Sequence, residues 1–256
     1  MTAQAPLALV TGGHRRLGAR IAMHLARAGY ALAIHGRHDA EPHRFLSECL
    51  AETGVRWHGF VADFLTPGAA EGLMPAVIDH FGRAPDLLVN SASLFGESEL
   101  ANVSAGQLAD YHQVNTVAPV LLTQAFAAAA RPDDAGASIV NILDQRLAQP
   151  HGDQLAYTLG KAGLEAFTRI AARTLAPAVR VNAVSPGLTL ATYDYTPEQL
   201  ERLASHAPLG VLPTPEAVGE AVLYLARAES VTGQTIIVDG GAHMRSYERD
   251  FLHLET

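Results

Sequence analysis

The chain has 256 residues, 48% of them apolar, and a formal net charge of −8. That length and apolar content suit one large α/β domain spanning residues 1–256 and argue against a second. Basic residues are scattered and leave no nucleic-acid footprint, and the twelve histidines include no pair at H-E-x-x-H or Cys/His zinc spacing, so no metal is expected and most read as solvated.

The N-terminus lacks a basic segment followed by an apolar signal core, so a cytoplasmic protein is expected. A short apolar strand, Leu7–Val10, runs into Thr11-Gly12-Gly13-His14-Arg15-Arg16-Leu17-Gly18. A helix follows with Ile21, Ala22, Leu25 and Ala28 facing inward. It ends at Gly29, and a strand over 31–35 completes the unit. Strand, glycine turn and helix N-terminus make a phosphate cradle of the dinucleotide-binding kind. The end of the second strand chooses the cofactor, because a carboxylate there binds the ribose diol of NAD and repels the added phosphate of NADP. Here the residues are His35-Gly36-Arg37-His38, with Arg15 or Arg16 nearby and Asp39 already in the loop. Cations without a carboxylate at that position favour NADPH/NADP+.

A helix over 42–53 holds the single cysteine, Cys49, which forms no internal disulfide, fits a reducing cytosol and reads as half-buried. Strand Trp57–Val61, helix Ala69–Phe81 and strand Leu87–Asn90 continue the alternation. Asp63, just past the third strand, is placed to meet an adenine ring. Asn90-Ser91-Ala92-Ser93 ends the fourth strand at the crevice where the chain switches sides. A long helix carries Asn115. The longest apolar stretch, 117–130, contains Pro119, Thr123 and Gln124, is too short to span a bilayer, and reads as a buried helix.

An apolar, β-branched strand over 138–143 delivers Asp144. After Tyr157 the pattern is helical through Leu164, Phe167, Ile170, Ala171 and Leu175, and it stops at Pro177. Tyr157 and Lys161 stand four apart, on one helix face and one turn apart. The ammonium is therefore expected to stabilise the phenolate and lower a phenol pKa that is ordinarily about 10, making Tyr157 a proton donor. Asp144 leaves the strand end where it can face that helix. The sixth strand, 180–184, opens into Ser185-Pro186-Gly187-Leu188-Thr189 and a Tyr- and Pro-bearing substrate loop, about 187–213. Helix 215–226 and strand 234–238 close a doubly wound parallel sheet of about seven strands with helices on both faces.

In order and spacing, Thr11-Gly12…Gly18, Asp63, Asn90-Ser91-Ala92, Asn115, Tyr157-x-x-x-Lys161, Pro186-Gly187 and Val238-Asp239-Gly240-Gly241 resemble the short-chain dehydrogenase/reductase family over nearly the whole chain. The resemblance implies hydride transfer from a nicotinamide cofactor, with Asn115, Tyr157 and Lys161 as the proton-relay set. The cofactor site then comprises Gly12, Arg15, Arg16, Leu17, Gly18, His35, Arg37, Asp63, Asn90, Ser91, Ala92, Tyr157, Lys161, Pro186, Gly187 and Thr189. It also implies a homotetramer in which the helices carrying Asn115 and Tyr157 pack against a neighbour's pair. The tail after Gly241, with Tyr247, Phe251 and Leu252, is expected to reach an adjacent subunit.

Two departures inform the substrate. Arg16 stands where the family usually has a second glycine, and Asp144 where it usually has a serine, thirteen residues before the tyrosine. A serine there donates to a carbonyl oxygen. A carboxylate cannot donate and repels a developing oxyanion, so Asp144 argues against ordinary ketone reduction unless it is protonated. It suits a substrate rich in N–H donors, or one whose ring nitrogen must gain a proton. Both departures occur together in the pteridine reductases and dihydromonapterin reductases, which the chain looks like. By that resemblance Arg16 reaches the pterin oxygen and the cofactor phosphate, and Ser93 and Phe95 hold the pterin, the aromatic ring stacking it over the nicotinamide. Asp144 and Tyr157 match the catalytic pair, and Leu188 and Thr189 fall in the substrate-covering loop. The implied activity is NADPH-dependent reduction of a pterin C=N bond, of dihydrobiopterin, dihydrofolate or dihydromonapterin type. The alternatives are a carbonyl reductase with a neutral Asp144 and a catalytically silent NADP(H)-binding sensor. Beyond Leu190 the match fades.

Overall fold

Alternate side chains of the first strand, β1 (Leu7–Val10), enter two different cores, and this sets the architecture. In the computed structural model, which describes residues 4–130, 136–190, 195–250 and 253, β1 is followed by α1 (Arg16–Arg27), β2 (Ala31–Gly36), α2 (Arg44–Thr53), β3 (Trp57–Val61), α3 (Ala69–Phe81) and β4 (Leu87–Asn90). Then come α4 (Ala105–His112), α5 (Ala118–Ala129), β5 (Ser138–Ile142), α6 (Leu155–Leu175), β6 (Arg180–Pro186), α7 (Pro197–His206), α8 (Pro215–Arg227) and β7 (Thr235–Val238). Ala8 and Val10 pack with α1, α2 and α8 on one face, whereas Leu7 and Leu9 pack with α3, α5 and α6 on the other. Side chains alternate across a strand, so a strand covered on both faces is apolar throughout.

The strands lie in the order β3-β2-β1-β4-β5-β6-β7, and every neighbouring pair is parallel. The chain winds outward from β1 to β3, crosses back to β4 and winds the other way. A crevice therefore opens at the C-terminal ends of β1 and β4.

Several local expectations need correction. The long helix through Asn115 is two helices joined by a π-helical segment, Gln113–Val117, that buries Val114, Asn115 and Thr116. Pro119 is the second residue of α5, directly after the π-helical segment. Cys49 is buried, not half-buried, because α2 packs against α1. His14 is also buried. A Cβ added to Gly36 would come within 2.4 Å of its ring, so the imidazole fills the space that glycine leaves. Among the described residues no helix is long and apolar enough to cross a membrane.

The segment expected as a loop to residue 213 contains α7. Thr196 and Gln199 form a capping box, and Pro197 occupies the first turn. Leu203 and Ala207 pack with Leu188, Tyr195, Leu212, Ala242 and Tyr247, which joins the segment after β6 to the C-terminal tail. The Tyr247 hydroxyl donates to the His206 carbonyl of its own chain at 3.0 Å. Phe251 and Leu252 lie outside the described residues.

Candidate active site

The glycine turn is fixed by close backbone approach. Gly12 has φ 62°, and a Cβ there would stand 2.9 Å from the Ala92 Cα, while one on Gly18 would stand 2.2 Å from the Gly12 carbonyl oxygen. Larger residues would force the turn, α1 and the exit of β4 apart. The Thr11 hydroxyl oxygen accepts from the N–H groups of Ser91 and Ala92, each at 3.0 Å, and locks that exit in place. Helix α1 starts with no side-chain cap and no acidic residue in its first turn. Its orphan N–H groups and positive dipole end are left for an anion. Arg16, exposed beside them, has φ 51°, a left-handed conformation that costs a non-glycine residue about 1–2 kcal/mol.

A cleft of about 610 Å³ opens above this turn, walled by Gly12, residues 15–18, 91–95, 142–146 and 186–190, Tyr157, Lys161 and Asp250. The Tyr157 hydroxyl donates to Asp144 Oδ2 at 2.7 Å. The other carboxylate oxygen accepts from the Arg146 main-chain N–H at 2.9 Å. Lys161 Nζ donates to the Ile142 carbonyl at 2.7 Å, and the ammonium lies 5.8 Å from the Tyr157 ring centroid. Burial draws Lys161 down from 10.5 to about 8, against the pull of Asp144. Phe95, 40% exposed, meets the Tyr157 ring edge-on at 4.9 Å, so it forms a wall of the cleft and is not core filling.

A phenol paired with a carboxylate, backed by a lysine one turn away and facing a glycine turn, is reductase machinery in a nucleotide crevice. Residues 13–243 match the family described as enoyl-(acyl carrier protein) reductase. The chain belongs to the short-chain dehydrogenase/reductase family. Pteridine reductase 1 of Leishmania tarentolae is 33% identical, with 93% of this chain and 96% of that protein covered. The 3-oxoacyl-(acyl-carrier-protein) reductase FabG of Pseudomonas aeruginosa is 32% identical, with 95% and 100% covered. The crystal structure of FolM alternative dihydrofolate reductase 1 from Brucella canis, complexed with NADP, superposes with a TM-score of 0.85 at 34% identity, covering 97% and 98% of the chains.

Not every expected site residue of this short-chain dehydrogenase/reductase reaches the cleft. His35 is no phosphate-facing cation. It is 2% exposed, stacks on Phe64 at 4.4 Å, accepts from the Gly12 N–H at Nδ1 and bonds the Ala62 carbonyl through Nε2. Burial lowers its pKa to about 4, so it is neutral and braces the turn from below. The Asn90 side chain also turns away, donating to Asn141 Oδ1 at 2.8 Å inside the sheet. Asp63, expected at an adenine ring, accepts from Arg37 Nε at 3.1 Å and from the Leu65 N–H at 3.0 Å. Arg15 pairs with Asp39 at 3.0 Å, so a carboxylate does stand beside these cations.

The expectation that Lys161 depresses the Tyr157 pKa is also overturned. Burial and Asp144 push the phenol well above 10, with Arg146 opposing. Spacing correctly places the ammonium near the ring, but the hydroxyl itself bonds a carboxylate, which favours the protonated form. Asn115 accepts from the Leu94 N–H at 2.8 Å and the Ser93 hydroxyl at 3.2 Å, and donates to the Leu94 carbonyl at 3.0 Å. The turn carrying Ser93 and Phe95 is thus hooked to the π-helical segment. Thr189 bonds its hydroxyl to the Gly187 carbonyl at 2.9 Å, and Leu188 packs under α7. A Cβ on Gly187 would meet that of Asp239 at 2.7 Å.

Two positioning residues escaped the sequence reading. Ser98 Oγ accepts from the Ala156 N–H at 3.0 Å, docking the loop after β4 onto the start of α6. Arg146 lies buried behind Asp144. Neither carries a periodicity or motif that marks it. Among the described residues no cluster of three or more His, Cys, Asp or Glu could hold a metal ion.

Proposed function

We propose that this chain is an NADPH-dependent reductase of a pterin-type C=N bond, of the dihydrobiopterin, dihydrofolate or dihydromonapterin kind. The observation that carries the reading is the 2.7 Å bond from Tyr157 to Asp144, at a position where carbonyl reduction calls for a neutral hydrogen-bond donor. The likeness to a pteridine reductase and to an NADP complex of an alternative dihydrofolate reductase supports substrate class and cofactor alike. The 32% identity to FabG favours the second reading, a carbonyl reductase. An intact Asn115, Tyr157 and Lys161 set argues against a silent NADP(H) sensor.

The cradle fits the cofactor: glycines with no room for a Cβ, an uncapped helix N-terminus, and Arg15 and Arg37 on the side where a 2′-phosphate would lie. NADPH, when bound, supplies the hydride. Arg16, Ser93, Phe95 and Leu188 hold and orient the pterin. Tyr157 keeps its proton at neutral pH and delivers it toward a ring nitrogen. Lys161, protonated below about pH 8, holds the nicotinamide ribose, and the cation that favours the phenolate left behind is Arg146. Asp144, as a carboxylate, accepts pterin N–H groups; after the transfer it takes a proton from solvent and passes it to the Tyr157 phenolate. Asn115, whose side chain is engaged with Ser93 and Leu94, anchors a water chain to solvent.

We place the enzyme in the cytoplasm, in keeping with its buried lone thiol, and as a homotetramer. Leu108 on α4 and Leu159 and Ile170 on α6 expose apolar side chains on the helices expected to pair. A monomer by light scattering at micromolar concentration would contradict the assembly.

The deciding variant is Asp144→Ser, with kcat/KM measured for a dihydropterin and for an activated ketone. Loss of a participating acid–base group lowers the dihydropterin rate by about a hundredfold or more, while the ketone is reduced at least as well. NADPH binding verifies the fold. Undiminished dihydropterin reduction in this variant would overturn the reading.

A further inference from the structure

The C-terminal tail returns to the catalytic centre of its own chain. Arg146, two residues past Asp144, is 3% exposed. Its guanidinium donates to the Asp153 carbonyl at 3.1 Å, to the Thr158 hydroxyl at 3.2 Å and to the Asp250 carboxylate. Its Nε stands 3.7 Å from Asp144 Oδ1. Asp250 is 104 residues further along the chain, yet it borders the same cleft as Tyr157. The Asp250 N–H donates to Asp153 Oδ2 at 2.7 Å, and Arg249 lies 3.4 Å from the other oxygen of Asp153, which fastens the tail beside the start of α6. A cation taken out of water must be matched by anions, and removing one partner leaves an uncompensated charge. Arg146 is matched by two, one catalytic and one from the tail.

We propose that Arg146 is a positioning residue for Asp144, and that Asp250, by sharing its guanidinium, lets the tail set the charge balance around Tyr157. The inference rests on the reading of Tyr157 as proton donor. The guanidinium carbon lies 5.4 Å from the Tyr157 ring centroid. It favours the phenolate, whereas Asp144 and Asp250 favour the phenol. Among the described residues, the other charged or titratable groups around the pair are Lys161 on the same helix, His151 and Asp153 before it, Arg249 and His253 in the tail and Arg16 across the cleft. His151 is held below the usual histidine range, chiefly by burial and then by Arg146, and adds little charge near neutrality. One charge at this spacing moves a titrating group by about one pH unit or more.

The test uses full-length Asp250→Asn, Arg146→Gln and the double variant. Two quantities are read: the pH dependence of kcat/KM with NADPH and dihydrobiopterin, and an ultraviolet phenolate titration without either, as a difference against Tyr157→Phe. Removing the Asp250 charge is expected to move the basic limb about one unit down. Removing the Arg146 charge moves it about one unit up, and the double variant returns near wild type. A clasp that acts only by holding the tail moves both single variants the same way, or neither, and that result overturns the proposal. Arg146→Lys retains the charge and is expected to keep the wild-type limb. Asp250→Asn decides alone if Arg146→Gln fails to fold, and the titration requires no turnover. If Tyr157→Phe still reduces dihydrobiopterin, the proton-donor reading has failed. If that variant is inactive and the limbs do not diverge, only the tail inference has failed.

Discussion

The main-chain N–H of Gly12 donates to Nδ1 of His35 at 3.2 Å, tying the glycine turn to the strand beside it. This bond requires a neutral imidazole with its proton on Nε2, where the Ala62 carbonyl receives it at 2.8 Å. The folded-state pKa, about 4, lies below the ordinary 6.5, so protonation favours unfolding. The contribution of His35 is complete above pH 6.5 and is lost as pH falls to 4, a span worth about 3 kcal/mol. Urea midpoints of wild type are expected to fall through that window more steeply than those of His35→Phe. Parallel curves would show that the histidine is not held neutral.

Arg37 and Asp63 bear on cofactor choice. Wild type is expected to prefer NADPH to NADH. On the proposed reading, Arg37→Asp removes one charged contact to the 2′-phosphate, worth about 1.5–3 kcal/mol. The KM for NADPH should rise roughly tenfold to a hundredfold with little change for NADH. Equal use of both cofactors by wild type would contradict the cation argument.

Lys161 makes a prediction about stability as well as rate. Its pKa is lowered from 10.5 to about 8 by burial, so between those values the unfolded chain binds more protons than the folded one. The cost of the buried ammonium is therefore full below pH 8 and fades as pH rises to 10.5. Lys161→Met should lose turnover yet unfold at a higher temperature than wild type at pH 7, with the advantage shrinking by pH 10. The upper limit is about 3 kcal/mol, part of it offset by the lost bond to Ile142. A variant less stable than wild type at pH 7 would refute this.

Asn115→Ala removes all three bonds that hold Ser93 and Leu94. Because Phe95 follows directly, the KM for dihydropterin should rise about tenfold, roughly 1.4 kcal/mol, and more than the KM for NADPH. Equal rises would mean that the side chain supports the whole cleft and not the pterin wall.

The sheet was legible because β1, β2, β4 and β5 are apolar runs separated by glycine turns and amphipathic helices. Asp144, Tyr157 and Lys161 were legible because strand end and helix spacing place them without tertiary information. His35 misled because a histidine at a strand end reads the same whether it faces solvent or lies on Phe64. The π-helical segment leaves the apolar pattern around Asn115 intact, so nothing in the residues announces it. Helix α7 did carry a signal in Thr196, Pro197 and Gln199, which the surrounding tyrosines and prolines masked. Arg146 and Asp250 could not be paired from sequence, since no periodicity links positions so far apart. Asp144 was paired with Tyr157 by resemblance, yet the spacing argument weighed only the Lys161 ammonium, and burial with Asp144 reverses the expected direction of the phenol pKa.

Arg16 holds the left-handed conformation that glycine adopts freely, at the start of α1 and on the wall of the cleft. Folding alone would place glycine there, relieving about 1 kcal/mol of strain. On the proposed reading, contact of the guanidinium with pterin and cofactor opposes that change. Under selection for foldedness, position 16 would drift to glycine; under selection for turnover it would stay arginine. Survival of this side chain through random mutagenesis therefore reports which demand the protein is answering, because both act on the same dihedral angle.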